Sequence, residues 1–117
     1  MLSSPGQVPI YLCAQPIDLR KSFDGLCGVI ESALGRDVLQ GHLFLFINKR
    51  QDRVKAIWWE PGGLVIWYKR LEKGTLELPK PDGSQTYVSL DSAQLAMLLA
   101  GVPLDQARTR RKRMNVA

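Results

Sequence analysis

The sequence predicts an α+β fold: an antiparallel β-meander of about four to five strands with two helices packed on it, covering one face of the sheet. Three observations carry that expectation. Residues 43–47, 54–59 and 64–68 are apolar, β-branched and aromatic segments separated by the turn-type connections NKRQDR and EPGG. Connections that short force neighbouring strands to run antiparallel. On either side of this block the apolar period lengthens to three or four residues, the spacing of one helical face.

In chain order, residues 1–9 contain Ser, Pro and Gly and read as an irregular lead-in, and residues 10–13 as a short strand. From Asp18 the pattern is helical, with Leu19, Phe23, Leu26, Ile30, Ala33 and Leu34 on one stripe. Asp18 is the expected N-cap, its carboxylate accepting from a free backbone N–H, and Gly35 the expected stop. Gly25 and Gly28 each cost this helix about 1 kcal/mol relative to Ala. They are expected either to allow close packing on the sheet or to mark an irregular first turn. After the meander, residues 76–78 can add a fourth strand before Pro79 and Pro81 break it. PKPDGSQ is turn chemistry, and residues 86–90 can form one more strand. Asp91 with Gln94 makes a capping box for the second helix, Leu90 and Leu95 a hydrophobic staple. Gly101 and Pro103 end that helix, with Leu95, Leu98 and Leu99 facing inward.

A length of 117 residues fits one domain. Residues 1–104 are expected to form a single α+β domain, and residues 105–117 a flexible basic tail. Of the net charge of +5, the tail supplies +4: Arg108, Arg110, Arg111, Lys112 and Arg113 stand against Asp105 alone. The body is therefore near neutral overall and basic only locally. Cys13 and Cys27 with the single His42 fall short of the four ligands of structural zinc. Free thiols in a reduced compartment are the expectation. The chain starts without a basic and then apolar leader, and no apolar run reaches the roughly 18 residues of a membrane span. A cytoplasmic protein with no membrane contact and no cofactor is expected.

Successive turns of a meander alternate between the two ends of the sheet. The first turn and the third, at residues 71–74, therefore share one end. That groups Lys49, Arg50, Arg53, Lys69, Arg70 and Lys73 against Asp52 and Glu72. A basic rim of this kind suits an anionic partner, most commonly nucleic acid. Arg110, Arg111, Lys112 and Arg113 can add phosphate contacts. The plainer alternative is that turns and tails are charged because they are solvated.

Trp58, Trp59, Trp67 and Tyr68 lie on facing strands, where adjacent side chains point to opposite faces. An exposed member can stack on a nucleic-acid base, although core and cross-strand packing is the favoured reading. Asp18, Asp24 and Glu31 are too widely spaced for an obvious paired-carboxylate metal site. They read instead as a cap, a local partner for Arg20 or Lys21, and a solvated face. His42 reads as a strand-entry residue bonded to the backbone rather than a general base. A nucleophile motif, phosphate loop or dinucleotide fingerprint is absent.

Several stretches occur together in a familiar order: residues 18–26 (DLRKSFDGL), 41–46 (GHLFLF), 58–60 (WWE), 69–74 (KRLEKG) and 94–101 (QLAMLLAG). Over about residues 8–102 the chain closely resembles the TnpB accessory proteins of the insertion-sequence-sixty-six family of bacterial transposons. It is not similar to the RNA-guided nucleases that share the name TnpB. The resemblance implies a small protein that works beside a separate transposase, which carries the catalytic acids, and that is itself not an enzyme. Its partners would be the transposase of the same element and DNA. The first turn departs from the glycine-containing turn of many relatives.

Two functional readings follow. In the first, the basic end of the sheet contacts DNA. In the second, a protein-interaction module holds the transposase without DNA contact, through Arg20, Lys21, Asp24 and an exposed aromatic, Trp59. A third reading, a metal-dependent nuclease using Asp24, is disfavoured by the carboxylate spacing.

Overall fold

Two of the most apolar segments, Ile10–Cys13 (β1) and Leu43–Ile47 (β2), lie side by side inside the sheet and run parallel, Tyr11 opposite Phe44. The computed structural model describes residues 8–81 and 83–104. Arg53–Glu60 (β3), Gly63–Arg70 (β4) and Tyr87–Leu90 (β5) complete a five-stranded sheet ordered β4-β3-β2-β1-β5. The β2-β3, β3-β4 and β1-β5 pairs are antiparallel. The fold is α+β, as the sequence predicts, and β2, β3 and β4 form the expected meander. The sheet, however, is mixed. A parallel pair needs a long crossover, here the segment 14–42, which contains helix α1 (Phe23–Leu34).

All of β1 and β2 is buried, because the sheet is covered on both faces. Leu26, Ile30 and Leu34 of α1 pack with Tyr11, Cys13, Phe44, Phe46 and Ile57 on one face. On the other, helix α2 (Ser92–Leu99) sets Leu98 among Ile10, Leu12, Leu43, Leu45, Val54 and Trp58. The expectation that both helices cover one face is therefore corrected. Full burial of a side chain such as Phe44, Leu45 or Leu98 contributes about 1.5–3 kcal/mol.

Helix α1 begins four residues later than predicted. Its N-cap is Ser22, which makes no side-chain cap bond. The carboxylate of Asp18 is instead engaged by the Arg20 backbone N–H (3.0 Å) and guanidinium (2.7 Å). Lys21 N–H closes a turn onto the Asp18 carbonyl. Phe23, placed on the buried stripe from spacing, is 43% exposed. At the other end Gly35 adopts φ 60° and stops the helix as expected. The Asp91–Gln94 capping box of α2 is fully formed.

Residues 76–78 are not a strand. Leu76 is fully buried, but a single residue ties it: its N–H donates to the Gln51 carbonyl (2.6 Å), and Gln51 Nε2 donates back to its carbonyl (3.1 Å). His42 lacks the expected backbone bond. Its Nδ1 is buried without a hydrogen-bond partner. Burial, and then the nearby Arg36 guanidinium, lowers its pKa. Both cysteines are free. Among the described residues, no helix is long and apolar enough to cross a membrane.

The two helical glycines differ. A Cβ on Gly25 would meet the Lys21 side chain at 3.0 Å, whereas one on Gly28 would meet nothing within 4 Å. Gly28 is exposed and does not serve close packing. Gly28→Ala should therefore raise stability by up to about 1 kcal/mol, measured by urea denaturation. A loss of stability would show that a side chain at position 28 does meet a neighbour.

Candidate nucleic-acid interface

Parallel pairing makes β1 and β2 end at the same edge of the sheet. The loop that follows β1 therefore meets the turn that follows β2, and Ile17 N–H donates to the Ile47 carbonyl (2.9 Å). The 71–74 turn comes to the same edge, with Leu71 N–H donating to the Asp52 carbonyl (2.8 Å). The predicted sharing of one end by the first and third turns is thus present, and the loop carrying Asp18 and Arg20 joins them. In open sheets with parallel strands, ligands bind beyond the carboxyl ends of those strands, and this end has that position for β1 and β2.

The first turn is held by its own polar groups. Asn48 Oδ1 accepts from the N–H groups of Asp52 (3.1 Å) and Arg53 (2.9 Å), and its Nδ2 donates to Asp52 Oδ1 (2.7 Å). That last bond holds the Asp52 carboxyl below its usual pKa. Gln51 adopts φ 60°, a conformation disfavoured for residues with a Cβ by about 1–2 kcal/mol. Its reciprocal bonds to Leu76 offset that cost. The absence of glycine from this turn is thereby accommodated.

Strands β3 and β4 carry cations out to this end. Arg53 stands directly opposite Arg70, and Lys55 opposite Tyr68, on the face shared with α1. Like charges in directly opposed positions repel. Arg53 donates to the Tyr68 hydroxyl (3.2 Å), and among the described residues the exposed Glu72, at 3.9 Å, is the ion-pair partner of Arg70. Lys55 is 9% exposed. Its ammonium donates to the Lys21 carbonyl (2.9 Å) and lies 4.9 Å from the centre of the Tyr68 ring. Among the described residues Lys49, Arg50, Arg53, Lys55 and Lys73 form no ion pair with a carboxylate.

These side chains line an open groove of about 820 Å³, bounded by Asp18, Leu19, Arg20, Asn48, Arg50, Arg53, Lys55 and Tyr68. A shallower recess of about 400 Å³ extends past Lys49 and Pro16. The groove holds four cations and one carboxylate. That carboxylate, Asp18, is held at a pKa of about 2, first by the side-chain hydrogen bond from Arg20. It stays ionised at neutral pH and faces its own arginine, so Asp52 in the neighbouring turn is the carboxylate that acts on Arg50 and Arg53, and neither forms an ion pair with it.

Not every predicted residue gathers here. Lys69 lies on the α2 face and donates to the Leu99 carbonyl (2.8 Å), a favourable place for a cation at a helix C-terminus. Trp59 is half-buried beside the β3-β4 turn, paired with Leu64, at the far end of the strand. Lys21 and Asp24 are exposed around the start of α1. Arg110, Arg111, Lys112 and Arg113 lie outside the described residues. Sequence reasoning missed Lys55 altogether, and it assigned Arg20 to a separate surface. The available signal for Lys55 was a lysine standing in alternation with Arg53 and Ile57 on a strand otherwise apolar around it.

Among the described residues, no group of three His, Cys, Asp or Glu side chains is placed to hold a metal ion. The α2 face carries a small apolar recess of about 130 Å³ lined by Leu43, Leu45, Ala56, Trp58, Trp67, Leu95 and Leu99. Trp67 is 39% exposed there.

Asn48→Ala should remove three hydrogen bonds from a half-buried turn and cost about 1–3 kcal/mol of stability, read from urea denaturation. An unchanged midpoint would mean that the backbone alone holds the turn.

Comparison with known proteins gives a consistent result. The family model described as IS66 Orf2 like protein matches residues 8–109. The uncharacterized protein y4jC of Sinorhizobium fredii is 34% identical over 103 residues, covering 88% of this chain and 85% of its own length. A second protein of that organism, the uncharacterized y4hO, is 29% identical over 102 residues, covering 87% of each chain. No solved structure matches the chain significantly.

Proposed function

The chain belongs to the IS66 Orf2-like family, the accessory proteins of an insertion-sequence transposition system, and on that premise we propose that it is a non-catalytic factor that contacts DNA through the basic end of its sheet. In that role it would assist a separate transposase by holding DNA near the element ends or by bridging transposase to DNA. The observation that carries the reading is the unbalanced charge at one edge. Arg53 stands opposite Arg70, Lys55 is buried two residues further along β3 with no carboxylate paired to it among the described residues, and the exposed Lys49 and Arg50 lie on the adjoining turn. A set of repelling cations held in place by the fold is relieved by phosphate.

The contacting set we assign is Arg20, Lys49, Arg50, Arg53, Arg70 and Lys73, with Arg110, Arg111, Lys112 and Arg113 adding charge. Lys69 is assigned to holding the end of α2. Contacts of this type position a protein on the phosphate backbone and carry little sequence information. The family is not known for catalysis, and the action proposed is binding in the cytoplasm of a bacterial cell.

The second reading, a module that holds the transposase without touching DNA, has one observation in its favour. The apolar recess beside Trp67 offers a greasy contact on the face opposite the cations. Arg20, Lys21, Asp24 and Trp59 do not form one surface with it.

Fluorescence-anisotropy titration of the full chain on element-end and scrambled duplexes separates the two readings. The DNA-contact reading predicts binding that weakens steeply with salt and barely distinguishes the sequences. Changing Lys49, Arg50 and Arg53 together to Gln should lower affinity at least tenfold and flatten the slope of log affinity against log salt by roughly 3. Unchanged affinity in that variant would overturn the assignment. A lack of binding by the unaltered chain at low salt would favour the protein-interaction module.

A further inference from the structure

The basic end is concave, and one wall of the concavity is an aromatic ring. Duplex DNA is read by elements that protrude into its grooves. Here the cations line a groove of about 820 Å³ rather than a ridge. Tyr68 is 49% exposed because β4 is an edge strand, with no neighbour beyond it among the described residues. Its hydroxyl is held by Arg53 (3.2 Å), and the Lys55 ammonium lies 4.9 Å from the ring centre. The ring is therefore fixed in place before any partner arrives.

Lys55 supplies the second half of the site. Its ammonium has three donors, of which the Lys21 carbonyl takes one. Although only 9% exposed, the residue lines the groove, and no carboxylate is paired to it among the described residues, so an anion entering there meets a charge without a counter-ion. Arg50 and Arg53 line the same groove, and Arg20 adds a charge already shared with Asp18. Aromatic platforms set among cations in a groove are the physical basis of binding to unpaired strands. Each base offers a π-face, and the phosphates between bases meet the positive charge. A base within a duplex is already stacked on both sides and cannot reach such a ring.

We infer that this groove seats an unpaired DNA strand, with a phosphate against Lys55, Arg53 and Arg50 and an adjoining base stacked on Tyr68. The inference rests on the DNA-contact reading and sharpens it: the preferred DNA carries a single-stranded segment, as at a frayed or nicked end. Duplex contact would draw on the rim as a whole, Arg50 and Arg53 included, whereas the ring of Tyr68 and the charge of Lys55 would be reached only by an unpaired strand, so the groove would distinguish a strand end from continuous duplex.

The test uses the full chain and three labelled probes of one sequence: a single strand of roughly 12 nucleotides, a blunt duplex, and the duplex with a short unpaired overhang. The single strand and the overhang should bind roughly tenfold or more tighter than the blunt duplex. Tyr68→Ala should bring all three to the blunt-duplex level, and Tyr68→Phe should keep the preference, since the ring and not the hydroxyl stacks. Lys55→Met keeps most of the buried stem and removes the charge. It should weaken the overhang probe selectively, in a protein whose urea midpoint shows it folded. Equal affinity for the three probes, or a preference that survives Tyr68→Ala, would overturn the groove assignment and leave duplex contact standing. Failure to bind any probe at low salt would overturn both.

Discussion

Parallel pairing of β1 with β2, Ile10 to Leu43 and Leu12 to Leu45, is the constraint on which the rest of the molecule depends. It requires the long crossover that contains α1. Together with α2 on the opposite face, that helix turns the sheet into the middle layer of three, so β1 and β2 must be apolar on both sides. Cys13 and Ile47 finish at the same edge in consequence. The loop with Arg20 is delivered beside the turn with Arg50, and an ordinary row of charged turns becomes a walled groove.

The groove is stabilised by polar groups that do not neutralise it. Asn48 organises the turn, Gln51 locks it to Leu76, and the Lys21 carbonyl and the Tyr68 ring hold Lys55. Backbone carbonyls and an aromatic face can hold a cation in place while leaving its formal charge uncompensated. Carboxylates at those places would make the edge more stable and less attractive to anions. Departures from local optimality of this kind mark functional positions, and here they coincide with a cavity. The opposite face shows the contrast: Lys69 is used to hold the carbonyl end of α2.

The elements legible in the sequence are those set by short-range chemistry. The meander follows from two brief connections, the start of α2 from the Asp91–Gln94 box, and the end of α1 from Gly35, each decided within a few residues. Elements set by distant contacts were not legible. The spacing of Asp18 suits an N-cap, but Arg20, two residues on, captures its carboxylate. Leu76 is apolar like a strand residue, yet one bonded residue, Gln51, accounts for its place. The partner of a four-residue strand such as β1 depends on tertiary packing that no local pattern encodes, so the parallel pair was missed. With it went the helices' opposite faces and the union of Arg20 with the basic turns. The rim itself was legible because alternation of turns is a topological rule. The burial of Lys55 was not, because a lysine on a strand ordinarily points to water.

The central claim is that the anion-binding surface is this folded edge. Its most direct test is amide chemical-shift mapping of the isotope-labelled full chain during titration with a short DNA duplex bearing an unpaired end. Perturbations concentrated in residues 18–21, 48–55 and 68–73, and saturating together, are the predicted result. Perturbations confined to residues 105–117, or centred on α2 and Trp67, would contradict the account, assigning DNA to the tail in the first case and to the apolar face in the second.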